Sequence, residues 1–211
     1  MPLQISTAKP AVSICVYCGS AVGNDTAYTA AARTLGEAMA AANIGLVYGG
    51  ASIGLMGEIA LSVLKNRGYV LGIIPEFLMA REVHLKDVTE LIVTQDMHER
   101  KMLMFQRADA FIALPGGIGT LEELFEQLTW AQLGQHRKPI IIANIAGFWN
   151  PLIALMKQLE LQGFLRKSVN GSDLAGAYHV VDEPADLVAK VLDTLPDQPL
   201  PARIAEIVRQ F

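Results

Sequence analysis

The hydrophobic pattern of the chain switches period repeatedly from end to end. Short, nearly continuous apolar runs rich in β-branched residues predict strands at 12–17, 45–48, 70–74, 90–93, 110–114, 139–143 and 177–181. Between them, 26–42, 55–65, 97–107, 120–133, 150–161 and 184–195 place apolar residues at helical spacing and predict helices. Strands this uniformly apolar suit a sheet covered on both faces. Alternating strands and helices with short connections imply right-handed crossovers. The expected fold is therefore α/β, a doubly wound, mostly parallel sheet with helices on both faces. The stretch 196–201, Pro-Asp-Gln-Pro-Leu-Pro, ends the last helix, and 202–211 is expected to form a terminal one. One domain is expected over 1–211, with 196–211 as a C-terminal extension.

Composition narrows the function classes. With 211 residues, 52% of them apolar and 18% charged, the chain can bury a substantial core. A formal net charge of −4 argues against a nucleic-acid partner, which calls for basic excess. It leaves room for a small anion, because backbone N–H groups hold one without net positive charge. The first ten residues lack the apolar core of a signal peptide, and no apolar run reaches the length of a membrane span. A cytoplasmic protein without membrane contact is expected. The pair Cys15 and Cys18 has CxxC spacing, but 12–17 reads as a strand, where side chains three apart face opposite ways. With no second cysteine pair, packing is favoured over redox or metal use, and no His/Asp/Glu cluster resembles a metal site.

In an open parallel sheet, ligands bind beyond the carboxyl ends of the strands, near the reversal of strand order. Three glycine-bearing turns fall at such ends: Cys18-Gly19-Ser20, the run from Gly49-Gly50 to Gly57, and Pro115-Gly116-Gly117-Ile118-Gly119-Thr120. Ser20 and Gly50 become candidate contacts on this argument. In the third turn, the glycines permit close backbone approach, and a helix then opens with free N–H groups toward an anion, with the Thr120 hydroxyl beside them. The bland alternative is a tight turn with no ligand. The spacing is neither a P-loop nor GxGxxG.

Glu122 and Glu123 follow in the first turn of that helix, where acids routinely complement the dipole. Adjacent helical residues point about 100° apart, so at most one of them faces a pocket. Asp96-Met97-His98-Glu99-Arg100-Lys101 opens another helix. Its cations oppose the dipole there, so they are either a solvated charge run or reach for an anionic substrate.

Taken together, Pro-Gly-Gly-Ile-Gly-Thr-Leu-Glu-Glu at 115–123, Gly-Gly-x-x-x-Gly-Leu-Met-Gly at 49–57 and Met-His-Glu-Arg-Lys at 97–101 closely resemble the LOG ("Lonely guy") family. Leu-Thr-Trp-Ala-Gln-Leu-Gly at 128–134 adds to the match, which extends from about residue 12 to 181. The family consists of cytokinin riboside 5′-monophosphate phosphoribohydrolases, once labelled lysine decarboxylases. The resemblance implies a Rossmann-like fold, a homodimer and hydrolysis of a nucleotide to free base and ribose 5-phosphate, with no cofactor or metal. Its catalytic positions fall on Arg100 and Glu123. Its phosphate and ribose contacts fall on Gly117, Gly119 and Thr120, within the loop that also holds Gly116 and Ile118, with Lys101, Thr129 and Glu82 nearby. A base with an apolar substituent would draw on Met97 or on the partner subunit.

Breaking the bond from C1′ to the base gives an oxocarbenium-like centre. A Glu123 carboxylate could stabilise that charge and activate the attacking water. Arg100 either anchors the substrate or eases departure of the base. Two other readings stay open at this level: a nucleotide carrier or sensor without turnover, and a pyridoxal-phosphate decarboxylase using a Schiff-base lysine.

Overall fold

The computed structural model describes residues 8–79, 87–165, 176 and 178–196. Seven strands form a single sheet: β1 (Ser13–Tyr17), β2 (Gly45–Tyr48), β3 (Val70–Pro75), β4 (Glu90–Thr94), β5 (Ala110–Ala113), β6 (Ile140–Ala143) and β7 (His179–Val181). Every pairing is parallel and the order is β4-β3-β2-β1-β5-β6-β7. The expected "mostly parallel" sheet is thus entirely parallel among the described residues.

Both faces are covered, and the strands show it residue by residue. Ile14 and Val16 of β1 pack into one apolar layer, and Cys15 and Tyr17 into the other. The first layer is closed by α1 (Thr26–Ala41), α2 (Gly54–Lys65) and α7 (Leu187–Thr194), through Leu35, Ile59 and Val191 among others. The second is closed by α4 (Met97–Arg107), α5 (Ile118–Gln132) and α6 (Asn150–Leu161), through Met104, Leu124 and Met156. Cys15 and Cys18 are both buried free thiols in opposite layers, and burial pushes both thiols well above their usual range.

Most boundaries agree with the hydrophobic pattern within two residues. A four-residue helix, α3 (Glu76–Met79), has no counterpart in it, because one turn is too short to display a period. The segment expected as one helix over 184–195 divides into a 3₁₀ turn at Pro184–Asp186 and α7, as proline opening a helix allows. Helix α5 begins at Ile118 with Gly117 as N-cap, so Thr120 lies inside the first turn rather than at its start. The expected helix at 202–211, and Glu82, lie outside the described residues.

The strand order reverses between β1 and β5. The chain leaves β1 toward α1 on one face and leaves β5 toward α5 on the other, so a crevice opens between the two strand ends. Across it the Gly19 N–H donates to the Pro115 carbonyl at 3.0 Å, and the Leu55 N–H donates to the Gly19 carbonyl at 3.0 Å. These bonds bring all three glycine turns to one place.

Candidate active site

The crevice holds a cleft of about 210 Å³ whose lining includes Ser20, Met56, Leu78, Arg100, Thr120 and Glu123. Helix α4 supplies Arg100 from its first turn. The helix itself is secured by Asp96, whose carboxylate accepts from the His98 and Glu99 N–H groups at 2.8 and 2.9 Å, while Glu99 reaches back to the Gln95 N–H at 2.7 Å. This capping box offsets the cost of a cation at the positive end of the dipole.

Arg100 is buried and held by contacts through Nε and Nη1. Its Nε donates to the Ile73 carbonyl at 3.2 Å, and Nη1 stands 3.8 Å from the Met97 sulfur and 3.4 Å from Glu123 Oε1. Its Nη2 fills the space where a Cβ on residue 49 would sit, so Gly49 is required by the guanidinium. Gly50, by contrast, adopts φ +82°, and a Cβ there would crowd Ile74 of β3 at 3.0 Å, so this glycine serves the β2–α2 turn.

The glycine loop divides in the same way. A Cβ at Gly116 would overlap Thr120 Oγ1, and Thr120 is itself buried, so this glycine serves the fold. Gly117 and Gly119 need no positive φ, and a Cβ on either would meet nothing within 4 Å. Nothing inside the described chain demands glycine at these two positions. The open space faces the N-terminus of α5, where free N–H groups and the dipole favour an anion. Ile118, between them, is exposed.

Glu123 approaches Arg100 from the first turns of α5, whereas Glu122 projects away. The Glu123 side chain is 12% exposed and that of Glu122 is 51% exposed. Burial pushes the Glu123 carboxyl up to about 7, even though the Arg100 guanidinium pulls it down. Titratable groups displaced toward neutrality in a cleft are characteristic of functional sites.

Comparison with known proteins fits this arrangement. The family described as "Possible lysine decarboxylase" matches residues 56–191. Cytokinin riboside 5′-monophosphate phosphoribohydrolase LOG1 of Arabidopsis thaliana is 44% identical over 87% of this chain and 84% of that protein. The probable phosphoribohydrolase LOGL2 of Oryza sativa subsp. japonica is 43% identical over 87% of this chain and 73% of its own length. The chain belongs to the LOG family. Among solved structures, the molybdenum cofactor carrier protein of Chlamydomonas reinhardtii has a TM-score of 0.67 at 22% identity, over 89% of this chain and 99% of that one. That likeness is one of fold alone.

Two residues that the family resemblance brings near the substrate do not line this cleft. Lys101 forms ion pairs with Glu122 and Glu126 at 2.5 and 2.9 Å and does not line the cleft. Burial works against its charge, but the two carboxylates outweigh it and hold the amine above the ordinary lysine range. Thr129 is exposed, and its hydroxyl donates to the Phe125 carbonyl at 2.6 Å. Sequence reasoning passed over Gly49, Met56 and Leu78. Gly49 could have been found from its place in the same strand-end turn as Gly50. Leu78 carries no sequence signal, since it sits on the unrecognised α3. Among the described residues, no group of three His, Cys, Asp or Glu side chains could hold a metal ion.

Titration of the carboxyl groups by ¹³C NMR, with Glu123 assigned by loss of its signal in Glu123→Gln, should give a midpoint near 7. Arg100→Met should move that midpoint upward, because the opposing cation is gone while burial remains. A midpoint in the ordinary glutamate range would show that water reaches the carboxyl freely.

Proposed function

We propose that this protein hydrolyses the N-glycosidic bond of purine nucleoside 5′-monophosphates, bearing adenine or an N6-substituted adenine, to free base and ribose 5-phosphate. One observation carries the reading: a buried carboxyl, Glu123, stands beside an anion cradle built of glycines that the fold does not need. Phosphate capture alone has no use for that carboxyl. The phosphoribohydrolase names of relatives 43–44% identical over most of the chain support the same reaction.

In this mechanism the 5′-phosphate binds at Gly117, Gly119 and Thr120, with Ser20 across the crevice. Departure of the base leaves positive charge on C1′ and the ring oxygen, which the Glu123 carboxylate stabilises. The same carboxylate accepts a proton from the attacking water. Arg100 keeps Glu123 ionised near neutral pH and provides a cation at the cleft wall. A carrier without turnover would need the cradle alone. A Schiff-base decarboxylase would need a lysine in the cleft, and none lines it among the described residues.

Homodimerisation fits the exposed apolar side chains Val93, Met102 and Ile118 on β4, α4 and α5. Most of the apolar face of α4 is satisfied internally, since Met104 is buried and Leu103 and Phe105 pack on the second layer. A cytoplasmic location suits the free, buried cysteines, and no helix among the described residues is long and apolar enough to cross a membrane. The acidic balance supports the absence of a nucleic-acid partner, and a single domain over 1–211 suits the one sheet.

Light scattering at micromolar concentration should give twice the monomer mass, and a monomer mass would remove the dimer. Glu123→Gln should lower kcat on the order of 10²-fold or more while nucleotide still binds. Glu122→Gln, on an exposed carboxyl, should change it only a few-fold; equal losses would mean the wrong carboxylate has been assigned. Because the working form of Glu123 is the carboxylate and its pKa is raised, kcat/KM of the wild type should fall as pH drops below about 7. Adenosine monophosphate should release adenine efficiently and adenosine hardly at all, because binding energy from the phosphate positions C1′. Comparable rates for the two would remove the phosphate cradle from the mechanism.

A further inference from the structure

The crevice continues past the glycine loop, on the side away from Arg100 and Glu123. There a second cavity of about 280 Å³ is walled by Val22, Tyr28, Leu55 and Phe148, with largely apolar surface. It shares Gly19, Ser20 and Gly117 with the cleft. Each space alone falls below the roughly 300–1,000 Å³ usual for a small-ligand site, and the two meet at the phosphate cradle.

The far wall is a built structure. Phe148 follows Ala146 and Gly147, both in the left-handed region at φ 51° and 71°, and for alanine that conformation costs energy. Asn144, at the end of β6, holds the turn. Its Oδ1 accepts from the Trp149 N–H at 2.8 Å, and its Nδ2 donates to Asp182 at 2.8 Å and to Asn150 at 3.0 Å. The Phe148 ring is thereby set edge-on to Tyr28, with centroids 5.5 Å apart. Tyr28 in turn occupies the space a Cβ on Gly23 would need. Neither aromatic ring takes part in the hydrolytic mechanism above.

We propose that the Tyr28–Phe148 lobe is a second nucleoside subsite, so that the crevice binds dinucleotides whose two nucleosides are joined through their 5′-phosphates. The inference rests on the reading of Gly117–Thr120 as a phosphate site. A phosphate held there stands at the junction of the lobes, with one nucleoside toward Glu123 and its other substituent toward Tyr28 and Phe148. Charge decides what that substituent is. The outer end of the lobe adjoins Asn24, Asp25 and Thr26, and the Asp25 carboxylate already caps α1 by accepting from the Ala27 N–H at 2.9 Å. A chain of phosphates long enough to reach that outer end is repelled by the carboxylate, whereas the hydroxyls of a ribose placed there, beyond a diphosphate bridge at the junction, can donate to it. Two aromatic edges and apolar walls suit a flat base.

The test compares diadenosine 5′,5′-diphosphate with adenosine 5′-diphosphoribose by calorimetric titration, since the two carry the same charge and differ only in the distal base. The dinucleotide should bind roughly ten- to a hundredfold more tightly, the range that base–aromatic contact supplies. Val22→Trp fills the lobe from an exposed position and so spares folding, and Phe148→Ala removes the far wall. Both should abolish the dinucleotide's advantage while leaving adenosine monophosphate cleavage within about twofold. Equal affinity of the two ligands for wild type, or an advantage that survives Val22→Trp, overturns the subsite. Failure of wild type to cleave adenosine monophosphate would count against the hydrolase reading, which the calorimetric comparison does not require.

Discussion

Because β1 sends its chain to one face of the sheet and β5 sends its chain to the other, the ends of two adjacent central strands cannot both be covered by the same helix. The resulting gap would expose backbone polar groups in the middle of a buried sheet. It is spanned instead by one short backbone bond, from the Gly19 N–H to the Pro115 carbonyl. The bond can form only if the two loops approach closely. A Cβ at Gly19 would lie 2.9 Å from the Ala21 carbonyl oxygen and 3.4 Å from Gly116 Cα. Everything with chemical potential in this protein hangs from that contact. The N-cap of α5 follows two residues after it, the β2–α2 turn is tied to it through Leu55, and both lobes of the crevice open beside it.

The glycines around this point do three different jobs. Gly49 and Gly116 make room for specific side chains, Arg100 and Thr120, and their loss would be felt as misplacement of those groups. Gly50 and Gly54 take positive φ and turn the chain, and Gly54 also packs directly on the Ser20 backbone. Gly117 and Gly119 do neither. Folding gains nothing from a glycine whose φ is ordinary and whose Cβ would point into open space; it loses backbone entropy relative to alanine. A residue kept against that cost is best explained by something that must come closer than a methyl group allows.

The hydrophobic pattern announced the sheet because the five inner strands, β3, β2, β1, β5 and β6, are buried on two faces and most helices on one, and both conditions leave a period in the sequence. It could not announce α3, whose single turn has none, nor the division of the last helix at Pro184. The site was legible to the extent that it was local. That at most one of Glu122 and Glu123 faces inward follows from helical geometry, whereas the capping role of Asp96 emerged only from the structure. What pairs across long separations was hidden. Arg100 and Gly49 are 51 positions apart, and only the fold shows that one exists to accommodate the other. Lys101 looked equivalent to Arg100 because it is adjacent in sequence. One step along a helix is about 100° of rotation, and that step carries it from the cleft to the outer acids of α5.

The same rotation separates two kinds of electrostatics. Lys101 is largely covered too, but it meets two carboxylates, one of them exposed, so its charge is matched twice over and its amine is held above the ordinary lysine range. Arg100 meets one carboxyl in a place that water barely reaches, where neither charge is acceptable alone. Burial by itself would make Glu123 a neutral acid, useless for activating water. Full solvation would make it a weak base, ionised but with little tendency to take a proton. The guanidinium at 3.4 Å works against the desolvation without overcoming it, and the carboxyl settles at about 7. A base poised there is available as the anion near neutral pH and still able to accept a proton in the transition state. The cation that anchors α4 to the Ile73 carbonyl of β3 is therefore also what tunes the group expected to carry the reaction.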